Sequence, residues 1–302
     1  VRVCSLAVYA LFLAGCRCGA DDLFDPSAAT SLARFSDRIA WIVEGEELRE
    51  RVMVRPVDAS EPARAVWDQG DVDALAADGD TAVFAIYRRS EERAEVLRIS
   101  SESAEPQTVA VLPGRASQIA VHGDRIVVRV SRTLLAVAGG GAPTPIAEIP
   151  GQMIALAVTP TRAAWLAADR AAPSRICSVA LTGGIAECVA EAPYHPSASM
   201  RVDGEALWIA RGDGAAARIE RVDRGSTTPV RVTAPGHTIG ALAIDGDVFW
   251  VEGDGGGWRR VMKRASGRTT VLASDDHGRS CLEVDHAHVW WATSSGIRRI
   301  PR

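Results

Sequence analysis

The stretch Ala243–Gly253, AIDGDVFWVEG, sets an Asp-Gly-Asp turn between two apolar runs, with Trp250 three residues beyond Asp247. Aspartate and glycine in such a place serve either a metal loop or a tight turn between strands. Comparison with the rest of the chain decides which. Related phrases recur: FSDRIAWI from Phe35, DGDTAVFAI from Asp78, HGDRIVVRV from His122, TPTRAAWLA from Thr159, DGEALWIA from Asp203 and DHAHVWWA from Asp285. Anchored on the second residue of each turn (Ser36, Gly79, Gly123, Pro160, Gly204, Gly246, His286), the spacings are 43, 44, 37, 44, 42 and 40 residues. Seven units with a period near 40 define a repeat architecture, and the quoted stretch belongs to the sixth.

Each unit has the same grammar. An alternating run leads to the turn, and a β-branched or aromatic run follows it. A third run carries arginine (RVMVRPV, EVLRIS, RIERV), and a fourth closes the unit (TVAVL, PVRVT, TTVLA). Short runs of period two, broken by Gly, Pro, Asp and Ser, read as strands. Four strands in about 40 residues make a propeller blade. The expected fold is therefore all-β, a seven-bladed β-propeller of four-stranded antiparallel blades.

Three columns before the anchors support this. Leu32, Leu75, Ile119, Leu156, Met200, Leu242 and Leu282 stand four residues ahead, and mostly apolar residues from Ala77 to Val284 stand two ahead. Between them run Ala33, Ala76, Ala120, Ala157, Arg201, Ala243 and Glu283, small residues where inner strands crowd around a channel. Unit seven has only three strands of its own. Pro26 stands ten residues before Ser36, as Pro113 and Pro150 stand before their anchors, which makes Leu23 and Phe24 the missing outer strand of the last blade. An open sheet edge is a liability that such a pairing removes.

Composition and the N-terminus indicate class and address. The chain has 302 residues, 47% apolar, with a net charge of −4 and a pI of about 5.9. That balance argues against a nucleic-acid partner. Val3–Leu13 is an apolar run too short to span a bilayer as a helix, and it ends in Leu13-Ala14-Gly15-Cys16. This resembles the bacterial lipoprotein signal, which implies cleavage before Cys16 and lipidation of that cysteine. The expected organisation is a signal peptide over 1–15, a lipidated tether over 16–20 and the propeller over 21–302. Arg17 stands where an aspartate often retains lipoproteins at an inner membrane, so the outer membrane or cell surface is the favoured address. Cys177 and Cys188 flank a hairpin in unit four and are expected to form a disulfide, whereas Cys18 and Cys281 fall on strands too far apart to bridge.

Units such as LAIDGDVFWVEGDGGGWRRVMKRASGRTTVLA resemble the repeats of YWTD/NHL-type propellers, especially bacterial lipoprotein β-propellers of unassigned function. The resemblance spans residues 21–302 and implies a fold more than an activity. The strict tyrosine-tryptophan-threonine-aspartate word is absent, as is the tryptophan-docking repeat of quinone-binding propellers, so no cofactor is implied.

Candidate chemistry is sparse. The Asp-Gly turns lack the alternating oxygen ligands of a calcium loop, and Trp41, Trp165, Trp208, Trp250, Trp290 and Trp291 read as packing residues. The channel column offers Arg201 and Glu283, either paired or solvated. His195, His237 and His277 each stand nine residues before an anchor, in loops expected on one face, with Asp276 beside them. Three imidazoles there would suit a zinc or iron site. His286 and His288 form a second, weaker candidate at the opposite turn. The leading expectation is a monomeric, membrane-tethered binding scaffold that docks a protein or small ligand on its loop face. The alternative is a metal-dependent lyase or hydrolase that uses the loop histidines.

Overall fold

The structure, a computed structural model, describes residues 22–302 apart from 28, 45–48, 104, 139–140, 150, 170–171, 193–197, 212–216, 224–225, 230–236, 254–258, 276–277 and 294. Among the described residues there are strands and loops but no helix. The signal segment, Cys16 and Cys18 lie outside them.

Units three to six are each a four-stranded antiparallel sheet in chain order. In unit six the strands are Thr238–Asp245, Asp247–Gly253, Arg259–Ala265 and Arg268–Asp275. The quoted stretch is thus the end of a first strand, a turn, and a whole second strand, with Asp245 opposite Asp247 and Leu242 opposite Trp250. Strand Asp22–Asp25 pairs antiparallel with Gly296–Pro301, so the N-terminal strand is the outer member of the sheet that holds unit seven, as the Pro26 spacing predicted.

Units one and two depart from the expected loop connection. A single strand, Arg64–Asp78, pairs with Glu50–Pro56 through its first half and with Thr81–Arg88 through its second, merging both units into one seven-stranded sheet. The hinge is Gly70, whose φ of 135° lies where side-chain-bearing residues rarely go. The chain swivels there from one unit to the next within a single continuous strand.

The seven first strands are Ala29–Phe35, Arg64–Asp78, Ala116–His122, Gln152–Val158, Ala198–Asp203, Thr238–Asp245 and Gly278–Val284. They touch one another in succession, and the last touches the first. Buried apolar side chains among the described residues fall into seven clusters, each spanning two consecutive units. One of them joins Phe24, Trp290 and Ile297 to Leu32, Ile39 and Trp41. The column four before the anchors pairs with large second-strand residues: Leu32 with Trp41, Leu75 with Phe84, Leu156 with Trp165, Leu242 with Trp250 and Leu282 with Trp291. Trp41, Trp250, Trp290 and Trp291 are fully buried. Each such side chain removes about 150–250 Å² from water, a gross gain of about 4–6 kcal/mol. These indoles are packing residues, as expected.

The repeated turn has a common physical basis. Ser36, Gly79, Gly123, Gly204 and Gly246 all adopt left-handed backbone, with φ from 48° at Ser36 to 68° at Gly246. The two other units solve the turn differently. In unit four the Thr159 hydroxyl accepts from the amides of Thr161 and Arg162; in unit seven the Asp285 carboxylate accepts from Ala287 and His288, both at 2.7 Å. A side-chain acceptor there replaces the left-handed residue. Neighbouring turns are also tied: the Ser36 amide donates to the Gly79 carbonyl and the Gly123 amide to the Asp78 carboxylate, each at 2.7 Å.

Candidate functional site

The first strands line three cavities of about 430, 400 and 370 Å³, the first and third sharing Ser31, Leu75, Ile154, Ala198, Ser199 and Arg201 and the second lying toward the turns. Arg201 lines all three. Its Nη2 donates to Glu283 Oε1 at 3.2 Å and its Nη1 to the Met200 carbonyl, so the two charged members of the channel column are paired across two units. Burial raises the Glu283 carboxyl above the usual range, while Arg201 and then Arg34 pull it back. Asp78, His122 and Asp203 complete the polar groups at this turn-side end. There, His122 Nδ1 sits 3.3 Å from Asp78 Oδ2.

The opposite end carries a carboxylate cluster that the column argument missed. Glu50 and Asp73 both line the first cavity. The Val72 amide donates to Glu50 Oε2 at 2.7 Å. Asp73 Oδ1 meets Arg115 Nε at 2.6 Å, and neighbouring Asp71 meets Arg89 Nε at 2.6 Å. Burial is the main force raising both the Glu50 and the Asp73 carboxyls; nearby carboxylates add to it, and Arg115 opposes it. The available signal was the alternation Asp71-Val72-Asp73 just after Gly70. It puts two acids on one strand face, six and eight residues before Gly79, above the column read as the channel.

The Asp-Gly-Asp turn of unit six holds cations of the chain itself. Arg302 Nη1 lies 2.6 Å from Asp245 Oδ2, and its Nη2 lies 3.2 Å from Asp247 Oδ2 and donates to the Asp245 carbonyl. Lys263 Nζ is 3.2 Å from the same Asp247 oxygen. Burial raises the Asp247 carboxyl, but Lys263 and Arg302 outweigh it and hold the group below the usual carboxylate range. Carboxylates that resemble a metal loop in the sequence are thus neutralised from the next unit and from within their own sheet.

No protein-family model matches the chain, and no curated protein matches it. Solved structures do. The propeller domain of the Trilobed protease from Pyrococcus furiosus superposes with a TM-score of 0.67 at 10% identity, over 91% of this chain and 94% of that one. A puromycin-hydrolyzing peptidase of Mycobacterium tuberculosis gives 0.67 at 13%, over 91% and 51%. The extracellular domain of a proposed one-component system from B. thetaiotaomicron gives 0.64 at 12%, over 93% and 40%. The fold is a β-propeller. This chain spans about half or less of the length of the latter two proteins, and at these identities the likeness concerns fold alone.

Of the loop-histidine set, His195, His277 and Asp276 lie outside the described residues. His237 is described: its Nδ1 is 3.2 Å from Oε1 of buried Glu252, which also accepts from Trp250 Nε1. Among the described residues no group of three or more His, Cys, Asp and Glu is arranged to hold a metal. At the other turn His286 is exposed, while the His288 ring lies 5.4 Å from that of Trp290. Cys177 and Cys188 are cross-strand partners joined by a disulfide. Cys281 lines the third cavity, and its thiol donates to the Thr30 carbonyl at 3.4 Å.

Proposed function

We propose that the chain is a closed seven-bladed propeller, exported and lipid-anchored at Cys16, that works as a binding scaffold of the cell envelope. The cyclic succession of first strands supports the ring reading, as do the seven inter-unit clusters and the pairing of Asp22–Asp25 with Gly296–Pro301. The Trilobed protease propeller is described as having an open velcro topology; here the strand pairing favours a closed one. The apolar run ending at Cys16 supports the anchor, and an extracellular domain among the structural neighbours accords with an outer-membrane or surface address.

One observation carries the binding role. A stiff ring holds a channel whose two ends are chemically distinct, with Glu50 and Asp73 at the loop side and the Arg201–Glu283 pair toward the turn side. Such a cavity, which sets charged and hydroxyl groups among small and aliphatic side chains, is suited to orienting a ligand. Comparing the interactome of the tagged, membrane-tethered protein with that of an Asp71→Asn/Asp73→Asn variant tests it. Loss of specific partners from the variant is expected. An unchanged set would reject docking at this face.

A second reading keeps His195, His237, His277 and Asp276 as a metal site for a lyase or hydrolase. The contact favouring it is His237 Nδ1 against Glu252, since a carboxylate on one ring nitrogen commonly orients the other toward a metal. Metal analysis of the purified protein tests it: stoichiometric zinc or iron, lost when the three histidines are replaced, is required.

A further inference from the structure

We propose that the loop-side cavity binds a small zwitterion of the amino-acid or short-peptide class, its ammonium group at Asp73 and Gln118 and its carboxylate at Arg201. This rests on the binding-scaffold reading and assigns that scaffold a ligand chemistry.

Two buried acceptors point to a missing donor. The Asp73 side chain is only 2% exposed; Arg115 and the Ala116 backbone amide serve its carboxylate, yet its Oδ2 is left without a hydrogen-bond partner. Gln118 directs Nε2 to the carbonyls of Met153 and Ile154, at 3.4 and 3.1 Å, which fixes which end of the amide is oxygen; its Oε1 is buried and also lacks a partner. Both residues line the same cavity of about 430 Å³. A buried acceptor without a donor has lost its hydration and gained nothing in exchange, so two in one cavity are unusual unless a ligand supplies the donors. An ammonium group offers three donors and a positive charge.

The local charge agrees. Glu50, Asp71 and Asp73 stand against the two guanidinium groups of Arg89 and Arg115, and both cations are already engaged on one carboxylate oxygen each. Burial holds the Glu50 and Asp73 carboxyls above their usual range, the response of acids whose charge is incompletely matched. Arg129, whose guanidinium donates to the carbonyls of Ser131, Gly151 and Met153, does not count among the charges that act on Glu50 or Asp73.

Arg201 supplies the other pole. In the succession of first strands, that of unit five is three steps from unit one in one direction and three from unit two in the other. Arg201 therefore stands across the channel from Glu50 and Asp73 while lining the same cavity. A guanidinium has five donors, and the contacts to Glu283 and Met200 use two of them. Hydroxyls of Thr30, Ser31, Ser117 and Ser199 line the wall between the poles. A cavity with opposite charges on opposite sides and hydroxyls between them selects a ligand with both charges.

Calorimetric titration of the full chain with the free amino acids, triglycine, N-acetyl-triglycine and triglycine amide tests the assignment. At least one free zwitterion is expected to bind, with affinity falling about tenfold or more on acetylation and again on amidation. Asp73→Asn should abolish the preference for a free amine, and Arg201→Met the preference for a free carboxylate. Glu50→Gln is the substitute for the amine pole if Asp73→Asn does not fold. No binding by any probe, or equal affinity for free and acetylated peptide, overturns the assignment. So does wild-type affinity in folded Asp73→Asn. If partners of the tethered protein persist while these probes fail, the ligand assignment falls and the scaffold reading stands.

Discussion

Arg201 and Glu283 meet at 3.2 Å from strands two units apart, so a single ion pair reaches across the wall of the channel. Removing the cation leaves a largely buried carboxylate without its main counter-charge. Arg201→Met is expected to destabilise the fold by about 1 kcal/mol at neutral pH, discounted for the exposure of the guanidinium. The Glu283 carboxyl is already raised by burial, so its ionisation opposes folding as pH rises through its folded value. The deficit of Arg201→Met should therefore shrink as pH falls into the carboxylate range. Glu283→Gln combined with Arg201→Met should cost less than the sum of the two single changes. Urea unfolding between pH 4 and 8, chosen to cover about the carboxylate range and neutrality, reads all three outcomes.

Asp247 has the opposite sign. Lys263 and Arg302 hold its carboxyl below the usual value, so it contributes stability above the unfolded value of about 3.9 and loses it as pH falls through the folded one. Asp247→Asn is expected to cost about 1 kcal/mol or less at neutral pH, with the gap to wild type closing below about pH 4. Thermal unfolding across that range checks it. A gap that widens on acidification would contradict the role given to Arg302 and Lys263.

The seam between the chain ends should be the costliest place to disturb. Phe24 is 3% exposed, packs edge-on against Trp41 at 6.4 Å and lies beneath the Arg55 and Arg299 guanidinium groups. Phe24→Ala is expected to cost about 3–5 kcal/mol. At Gly296 a Cβ would collide with the Asp25 carbonyl oxygen, so Gly296→Ala should also unfold more readily than wild type. Val271→Ala, at a half-exposed outer position, should change stability by less than about 0.5 kcal/mol and serves as control.

The Cys177–Cys188 bond closes a short loop across one hairpin. Constraining the unfolded chain over such a loop is worth about 2–3 kcal/mol. Reduction, or Cys177→Ser together with Cys188→Ser, should lower the unfolding free energy by that amount without loosening the other units. Hydrogen exchange in units one and two should stay at wild-type rates.

How much was legible depended on how local the signal was. The turn column Ser36 to His286, the partner residues Leu242 and Trp250, and the strand at Phe24 all follow from spacing, because a repeated unit prints its register into the chain. The Cys177–Cys188 pairing was equally readable across its hairpin. The continuous strand through Gly70 was not, since one glycine distinguishes a swivel from a loop. Nor was the filling of the Asp245–Asp247 turn by Arg302, because that cation arrives from 55 residues away. Gln118 was readable as an inner-wall residue, but its pocket with Asp73 was hidden for a related reason. Its members become neighbours only when first strands from separate units are set around one channel, and the column inspected for charge lay lower in it. Arg201 and Glu283 stood out because charge interrupts a column of alanine.

Lipidation is a separate question with a direct readout. A clickable fatty acid fed to the producing cells is expected to label the full chain and to leave Cys16→Ala unlabelled and released from the membrane fraction. Equal labelling of the two would remove the anchor from the account.

The most direct test of the central claim is site-specific photo-crosslinking of the tethered protein in its own envelope. A benzophenone side chain placed at Ser199, on the channel wall, is compared with one at Val271, on an outer strand. A discrete adduct is expected from Ser199, lost on competition with bound ligand, and none from Val271. Adducts from Val271 alone, with a silent channel position, would contradict that claim.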